Sequence, residues 1–306
     1  CGLWDLVHQI ELIKTHVENI PYCRMQAFHL SGEQLGAFRE EAGGEVDFQH
    51  PSVSYSAANR LMEGSSDIIT QQLVQAMILI DRGMPIIHIL QTSQRNSLVL
   101  VSRTDTLRTL EDLKGKKVGI WKAGFGDLAY IMDTEKELDI EWVPYLESVN
   151  LFLSGAIDAT LAMDYNEYQK IRVSGHEDKP VIRFSDTEYD FPEDGVYVSA
   201  DFYQQYPDKV KAFAEASRKG WEWAHEHPDE TLDIVMKWVE KENVHTNRIH
   251  QKWMLEKILD LQYMDGENKP SFQLYSEKVD KLNELLLKHR RIHRPINIEA
   301  LKGGMP

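Results

Sequence analysis

Five aromatic residues, Tyr22, Tyr55, Trp121, Phe125 and Tyr165, stand where short apolar runs give way to turns or helix starts. A ring at such a place either packs into the core or stacks on a flat ligand. Polar groups that could address ring nitrogens and hydroxyls stand at similar places: Gln72, Gln91, Asn166 and Glu167, with Ser52 close to Tyr55. As a set they suit a planar heteroaromatic molecule, held by stacking and oriented by a few hydrogen bonds. Taken singly, each ring is as readily a core residue, and Glu167 could equally pair with a surface lysine. Gly124-Phe125-Gly126 follows an apolar run and precedes a helical pattern. Its backbone N–H groups could meet an anion or a polar ring edge. The plain alternative is a tight turn that needs glycine, and Asp127 beside it disfavours a strongly anionic ligand.

Other constellations carry less. Lys114-Gly115-Lys116-Lys117 lacks the spacing and the final hydroxyl of a phosphate loop and precedes its strand, so it reads as a turn. Among 12 histidines, His225 and His227 do not share a helix face. His289 and His293 do, but no acidic or thiolate third ligand stands at useful spacing. No HExxH or G-x-S-x-G motif is present. No catalytic residue, metal or cofactor is expected. A net charge of −15 argues against a nucleic-acid groove. No apolar run approaches the roughly 20 residues of a membrane span.

The elements that must place these residues follow from periodicity. Val53 to Met62 reads as a helix, Asp67 to Gln72 as a strand, and Leu73 to Asp81 as an apolar helix ended by Gly83. Pro85 to Leu90 is a buried strand with Gln91 at its end. Upstream, His8 to Lys14 and Glu45 to Gln49 suit strands, and Ser31 to Gln34 suits a capping box whose helix ends by Gly43-Gly44. Ser97 to Val101, Lys117 to Trp121 and Ala159 to Ala162 are further strands, with helical segments from Asp127 and ending near Leu153. Strands alternating with helices imply an α/β protein with mostly parallel sheets, whose ligands sit beyond the carboxyl ends of the strands. After a strand near Gly195 to Val198 the chain turns helical, with Pro207, Pro228, Asn247 and Ser276 opening successive helices.

The run "NSLVLVSR … TLEDLKGKKVGIW … SGAIDATLAMDYNEY" resembles the type II periplasmic substrate-binding proteins of ABC importers. The nearest branch is that for thiamine pyrimidine precursors, with relatives for riboflavin, alkanesulfonates, nitrate and taurine. The stretches 20–48, 61–91 and 195–238 continue the likeness in the same order. The resemblance implies a two-lobed fold. Lobe one would take residues 1–95 and the return segment with C-terminal helices 191–306, and lobe two, residues 96–190, would be inserted. It implies a monomer that captures a small molecule between the lobes and presents it to a permease and ATPase in the bacterial periplasm or cell envelope. The set Tyr22, Ser52, Tyr55, Gln72, Gln91, Trp121, Gly124, Phe125, Tyr165, Asn166 and Glu167 would line the ligand.

A thiamine-pyrimidine-like solute is the expectation, on the aromatic strand ends. A sulfonate, nitrate or riboflavin-like solute is the alternative, and an anion would want a basic residue, for which only Lys122 stands out. A branch of the superfamily makes the pyrimidine in a self-consuming reaction, with a cysteine-rich hallmark. This chain has two cysteines, Cys1 and Cys23, in no such cluster. A ligand-sensing domain that docks a receptor is a third reading. The start Cys1-Gly2 is compatible with lipidation of Cys1, which the resemblance supports, or with a Cys1–Cys23 disulfide.

Overall fold

Two five-stranded sheets organise the chain, each built by the same strand order. The structure is a computed structural model, and it describes residues 23–26, 46–48, 56–121, 126–145, 149–241, 243–264 and 266–303. The chain divides into two compact units: unit 1 takes Cys1–Gln94 and Pro192–Pro306, and unit 2 takes Arg95–Phe191.

In unit 1 the strands are β1 (Cys23–Gln26), β2 (Val46–Phe48), β3 (Ile68–Gln72), β4 (Ile86–Gln91) and the late-arriving Asp194–Ser199. The segment Asp194–Ser199 lies between β3 and β4 and runs antiparallel to both, while β1 pairs in parallel with β2 and β3. Helix α1 (Ala57–Met62) starts at Ser56, whose hydroxyl accepts from Asn59 N at 3.2 Å. Helix α2 (Leu73–Asp81) follows β3 directly, and its Leu73, Ala76 and Met77 are buried, as are Ile68 and Ile69 of β3. Gly83, at φ +92°, turns the chain back into β4.

In unit 2 the strands are β5 (Leu98–Ser102), β6 (Lys117–Trp121), β7 (Glu141–Tyr145), β8 (Ala159–Met163) and β9 (Val181–Arg183), in spatial order β7-β6-β8-β5-β9. Between them come helices α3 (Asp127–Lys136), α4 (Asn150–Leu153) and α5 (Glu167–Ile171). Strands β6, β7 and β8 are mutually parallel, and β5 runs antiparallel to β8 and β9. Each sheet therefore holds four strands of one direction and one reversed strand. The reversed one is in each case the first strand after the chain enters that unit. The strand Asp194–Ser199 is β10 in chain order.

Unit 1 closes with α6 (Ala200–Gln205), α7 (Pro207–Glu226), α8 (Pro228–Lys241), α9 (Arg248–Asp260), α10 (Ser276–Lys288) and α11 (Ile298–Leu301). Proline at the first turn suits α7 and α8 because no intrahelical N–H is lost there. Asn247 caps α9 through Oδ1, which accepts from His250 N at 3.0 Å. Helix α7 buries Val210, Phe213, Ala216, Trp221 and Ala224 on one stripe. Strands β7 and β9 were not expected from periodicity. The signal for β9 is short: a proline followed by two β-branched residues, Pro180-Val181-Ile182. Among the described residues no helix is long and apolar enough to cross a membrane. The expected first strand at His8 to Lys14 and the capping box at Ser31 lie outside the described residues.

Candidate functional site

At the carboxyl end of the unit 2 sheet, Trp121 closes β6 and Tyr145 closes β7, opposite each other in register. Their ring centroids are 5.7 Å apart and tilted by 51°. Trp121 is half-buried, whereas Tyr145 is buried, and its hydroxyl donates to Leu161 O at 2.6 Å. Tyr145 thus lies across the sheet toward β8. Gly119 makes room for it: a Cβ there would stand 2.7 Å from Thr160 Oγ1, 2.8 Å from Ile157 Cδ1 and 3.3 Å from Tyr145 Cδ1. Gly119 and Trp121 are two apart on one strand and so face the same way. The exposed part of Trp121 continues a ring shelf founded on Tyr145. Pro144 is tolerated in β7 because that strand is the sheet's edge.

Beyond β6 the chain reaches Gly126, the residue before α3. A Cβ on Gly126 would lie 2.7 Å from Ile120 Cδ1, so glycine is needed for close packing of turn on strand. Gly124 and Phe125, with Lys122, lie outside the described residues, as do Tyr22, Ser52, Tyr55 and Cys1.

Strand β8 ends at Met163 and turns through Asp164, Tyr165 and Asn166 into α5, whose first residue is Glu167. Tyr165, Asn166 and Glu167 are all buried. Glu167 Oε2 accepts from Met163 N at 3.1 Å and Oε1 from Asn166 Nδ2 at 3.0 Å. These bonds fold the turn back onto the strand end. Burial first, and then the Glu167 charge, push the Tyr145 phenol pKa upward, so Tyr145 stays protonated. At the far edge, Arg183 ends β9 with Nη1 3.7 Å from Asp164 Oδ1, and its guanidinium lies 5.4 Å from the Tyr168 ring centroid. Sequence reasoning missed Tyr145 and Arg183, because neither β7's end nor β9 stood out as a strand end.

The carboxyl end of the unit 1 sheet carries a different arrangement. Gln72 closes β3 and is buried. Gln91 closes β4 with no exposed surface. Both hydrogens of its Nε2 are spent, on Ser93 O at 2.9 Å and Asp194 O at 2.8 Å. Its Oε1 faces His88 Nε2 at 3.0 Å. Since Gln91 has no hydrogen left to give, His88 must carry the proton on Nε2, which fixes its tautomer. Burial pushes the His88 pKa down to about 4, so the ring is neutral. Gly195 opens the space for this pair: a Cβ would stand 3.0 Å from His88 Nε2 and 3.1 Å from Gln91 Oε1. The Asp194 carbonyl also accepts from Thr92 N at 2.9 Å, Thr92 Oγ1 at 2.8 Å and Ser93 N at 3.2 Å. Gln91 therefore serves to hold the segment after β4 onto the start of β10. Burial pushes the Asp194 carboxyl up to about 7.

The structure brings Trp121, Tyr165, Asn166 and Glu167 to one sheet end, and Gln72 and Gln91 to the end of the other sheet. Among the described residues no group of three or more histidines, cysteines and acids is placed to hold a metal.

Residues 27–231 match the model of the family described as NMT1/THI5 like. The chain is 25% identical over 222 residues to the formylaminopyrimidine-binding protein of Halalkalibacterium halodurans, an alignment covering 66% of this chain and 63% of that relative. The chain thus spans less than two thirds of that relative's length. Among solved structures, it resembles a putative periplasmic sulfonate-binding protein SsuA from Methylobacillus flagellatus, at 17% identity and TM-score 0.65, over 93% of this chain and 92% of that one. It also resembles the alkanesulfonate-binding SsuA of Xanthomonas axonopodis pv. citri bound to MOPS, at 12% identity and TM-score 0.66, over 93% and 98%. At such identities these likenesses establish the fold, that of type II periplasmic binding proteins. With the family model matching more than half of the chain, the chain belongs to the NMT1/THI5-like family.

Proposed function

We propose that this chain is the solute-binding component of an ABC import system and that its solute is a small planar heteroaromatic molecule of the thiamine-pyrimidine-precursor kind. The observation that carries this is the half-exposed Trp121 ring, backed by Tyr145 at 5.7 Å, at the carboxyl edge of parallel strands. Parallel α/β sheets bind ligands at that edge, and an indole face suits a flat ring. The relative named for binding formylaminopyrimidine supports the same solute class. The chain binds and does no chemistry, and its partners are a permease and an ATPase at the cell envelope. Tyr165 and Asn166 shape the turn beside the shelf.

The test is Trp121→Ala, read by calorimetric titration and by unfolding, after native mass spectrometry of freshly purified protein has identified the co-purified solute. Loss of the stacking face should weaken binding by about 1–3 kcal/mol. Because the ring is only half-buried, stability should fall by about 1–2 kcal/mol, less than the 3–5 kcal/mol of a core tryptophan. A core-sized stability loss with normal affinity per folded molecule would remove Trp121 from the site.

A further inference from the structure

In a chain of net charge −15, the turn that ends α10 is strongly basic. Residues 288–294 hold Lys288, Arg290, Arg291 and Arg294 with His289 and His293, and no acid lies between Glu284 and Glu299. We propose that this turn is an electrostatic docking surface for an anionic phospholipid bilayer. The proposal concerns a different face of chemistry from the solute and stands or falls apart from it.

The first observation is that the turn is held firmly while its cations face solvent. Ile292 and Ile296 are buried and anchor it from below. Asn283, also buried, donates through Nδ2 to Ile296 O and accepts from Ile296 N, both at 2.8 Å. His293 donates its backbone N–H to Asp81 Oδ1 at 3.0 Å, and its Nδ1 meets Asp81 Oδ2 at 2.7 Å. Lys288, Arg290, Arg291, His293 and Arg294 are nonetheless exposed. Asp81 ends α2, and Arg82 beside it is exposed as well. A second element thus brings a fifth full cation to the turn, together with the acid that His293 binds.

The second observation is that helix chemistry explains only part of this charge. Cations favour a helix C-terminus within its last turn, a place that Lys288 fills. Arg291 and Arg294 lie beyond it. Elsewhere in unit 1 long cations stand beside acids: Arg218 bonds Glu215 and Glu222, and Arg248 meets Asp233 at 2.7 Å. The sequence of 285–297 supplies no acid for such pairing.

The partner follows from how such charges recognise. Long, exposed cations spread along a turn read charge density more than shape. A bilayer offers phosphates at every spacing, whereas one small anion needs donors that converge on it. The rest of the chain is acidic, so an anionic surface repels it and attracts this end within about a Debye length, roughly 10 Å at 0.1 M salt. The docking therefore orients the protein, with α10's end toward the membrane.

Arg290 makes the proposal testable without damage to the fold. Its N–H donates to Leu287 O at 3.0 Å, the next N–H, of Arg291, to Leu286 O at 2.8 Å, and its φ is +54°. Glycine adopts that left-handed conformation freely, and closes α1 and α2 that way at Gly64 and Gly83. Arg290→Gly thus removes a charge at a place where glycine suits the backbone.

The experiment is co-sedimentation of the full chain with vesicles of about one third phosphatidylglycerol in phosphatidylcholine, and with vesicles of phosphatidylcholine alone. The wild type should bind the anionic vesicles at about 0.02 M salt, release them at about 0.5 M, and ignore the neutral ones. Arg290→Gly and Arg294→Gln should each weaken that binding about fivefold, and the two together about 25-fold. Arg290→Lys should keep it. The unfolding midpoint of Arg290→Gly should equal or exceed that of wild type. No binding to anionic vesicles at low salt, equal binding to both kinds, or undiminished binding by the double variant would overturn the proposal. So would binding of soluble poly-glutamate without binding of anionic vesicles, which would assign the surface to an acidic protein. Solute titration of the same variants should match wild type, so failure here leaves the solute reading untouched.

Discussion

Replacing Gln91 by leucine separates a scaffold residue from a solute contact. The two side chains are close in volume, so Gln91→Leu removes hydrogen bonds without opening a cavity. The Asp194 carbonyl keeps Thr92 N, Thr92 Oγ1 and Ser93 N as donors and is not orphaned. The Ser93 carbonyl and His88 Nε2 each lose the side-chain partner they have at 2.9 and 3.0 Å. Leaving one buried polar group unsatisfied costs about 1–3 kcal/mol, so two such groups set an expected loss of about 2–6 kcal/mol. Thr92→Val is the internal control. It deletes one of several donors to Asp194 O and strands nothing, so about 1 kcal/mol or less is expected. Urea unfolding of both variants, followed by tryptophan fluorescence, reads the difference. Solute affinity per folded molecule should stay within about threefold of wild type if the scaffold role is the whole of it. A Gln91→Leu protein that loses under about 1 kcal/mol of stability but tenfold or more in affinity would refute the reasoning and make Gln91 a contact.

Two further outcomes follow from the same geometry. Gly119→Ala places a methyl 2.7 Å from Thr160 Oγ1 and 2.8 Å from Ile157 Cδ1; unfolding should show a loss of about 1–3 kcal/mol, and the displaced Tyr145 should change Trp121 fluorescence. The pH dependence of stability should carry two opposed contributions from unit 1. Asp194, raised from 3.8 to about 7, favours the fold below pH 3.8, and that contribution is lost as pH rises through about 7. His88, lowered from 6.5 to about 4, favours the fold above pH 6.5 and loses that contribution as pH falls through about 4. Asp194→Asn should therefore raise the denaturation midpoint at pH 8, converge with wild type below pH 4, and leave an acid-side decline due to His88. An unchanged midpoint at pH 8 would show that burial does not penalise the charged form of Asp194.

Much of this chain is legible residue by residue, and the parts that are not have a common cause. Leu73–Asp81, Lys117–Trp121 and Ser276–Lys288 can be read from the chain alone, because apolar period, capping residues and glycine stops are local properties. The alternation of strand and helix likewise points to an α/β protein, and the aromatic ends at Trp121 and Tyr165 can be picked out by type and place. Pairing is another matter. That β10 would lie between β3 and β4, reversed, depends on contacts between residues about a hundred positions apart, and no window of sequence holds them. The same holds for Tyr145, which becomes part of the shelf only because Gly119 lets its ring cross β6 to reach Leu161. Gln91 and Glu167 look alike in sequence, each a polar residue just past an apolar run. The tertiary structure separates them: His88, Ser93 and Asp194 use up one side chain across unit 1, while the other bonds only within its own turn, to Met163 N and Asn166 Nδ2. A side chain's type states what it can bond to, but only the packed fold decides which of those bonds are already made.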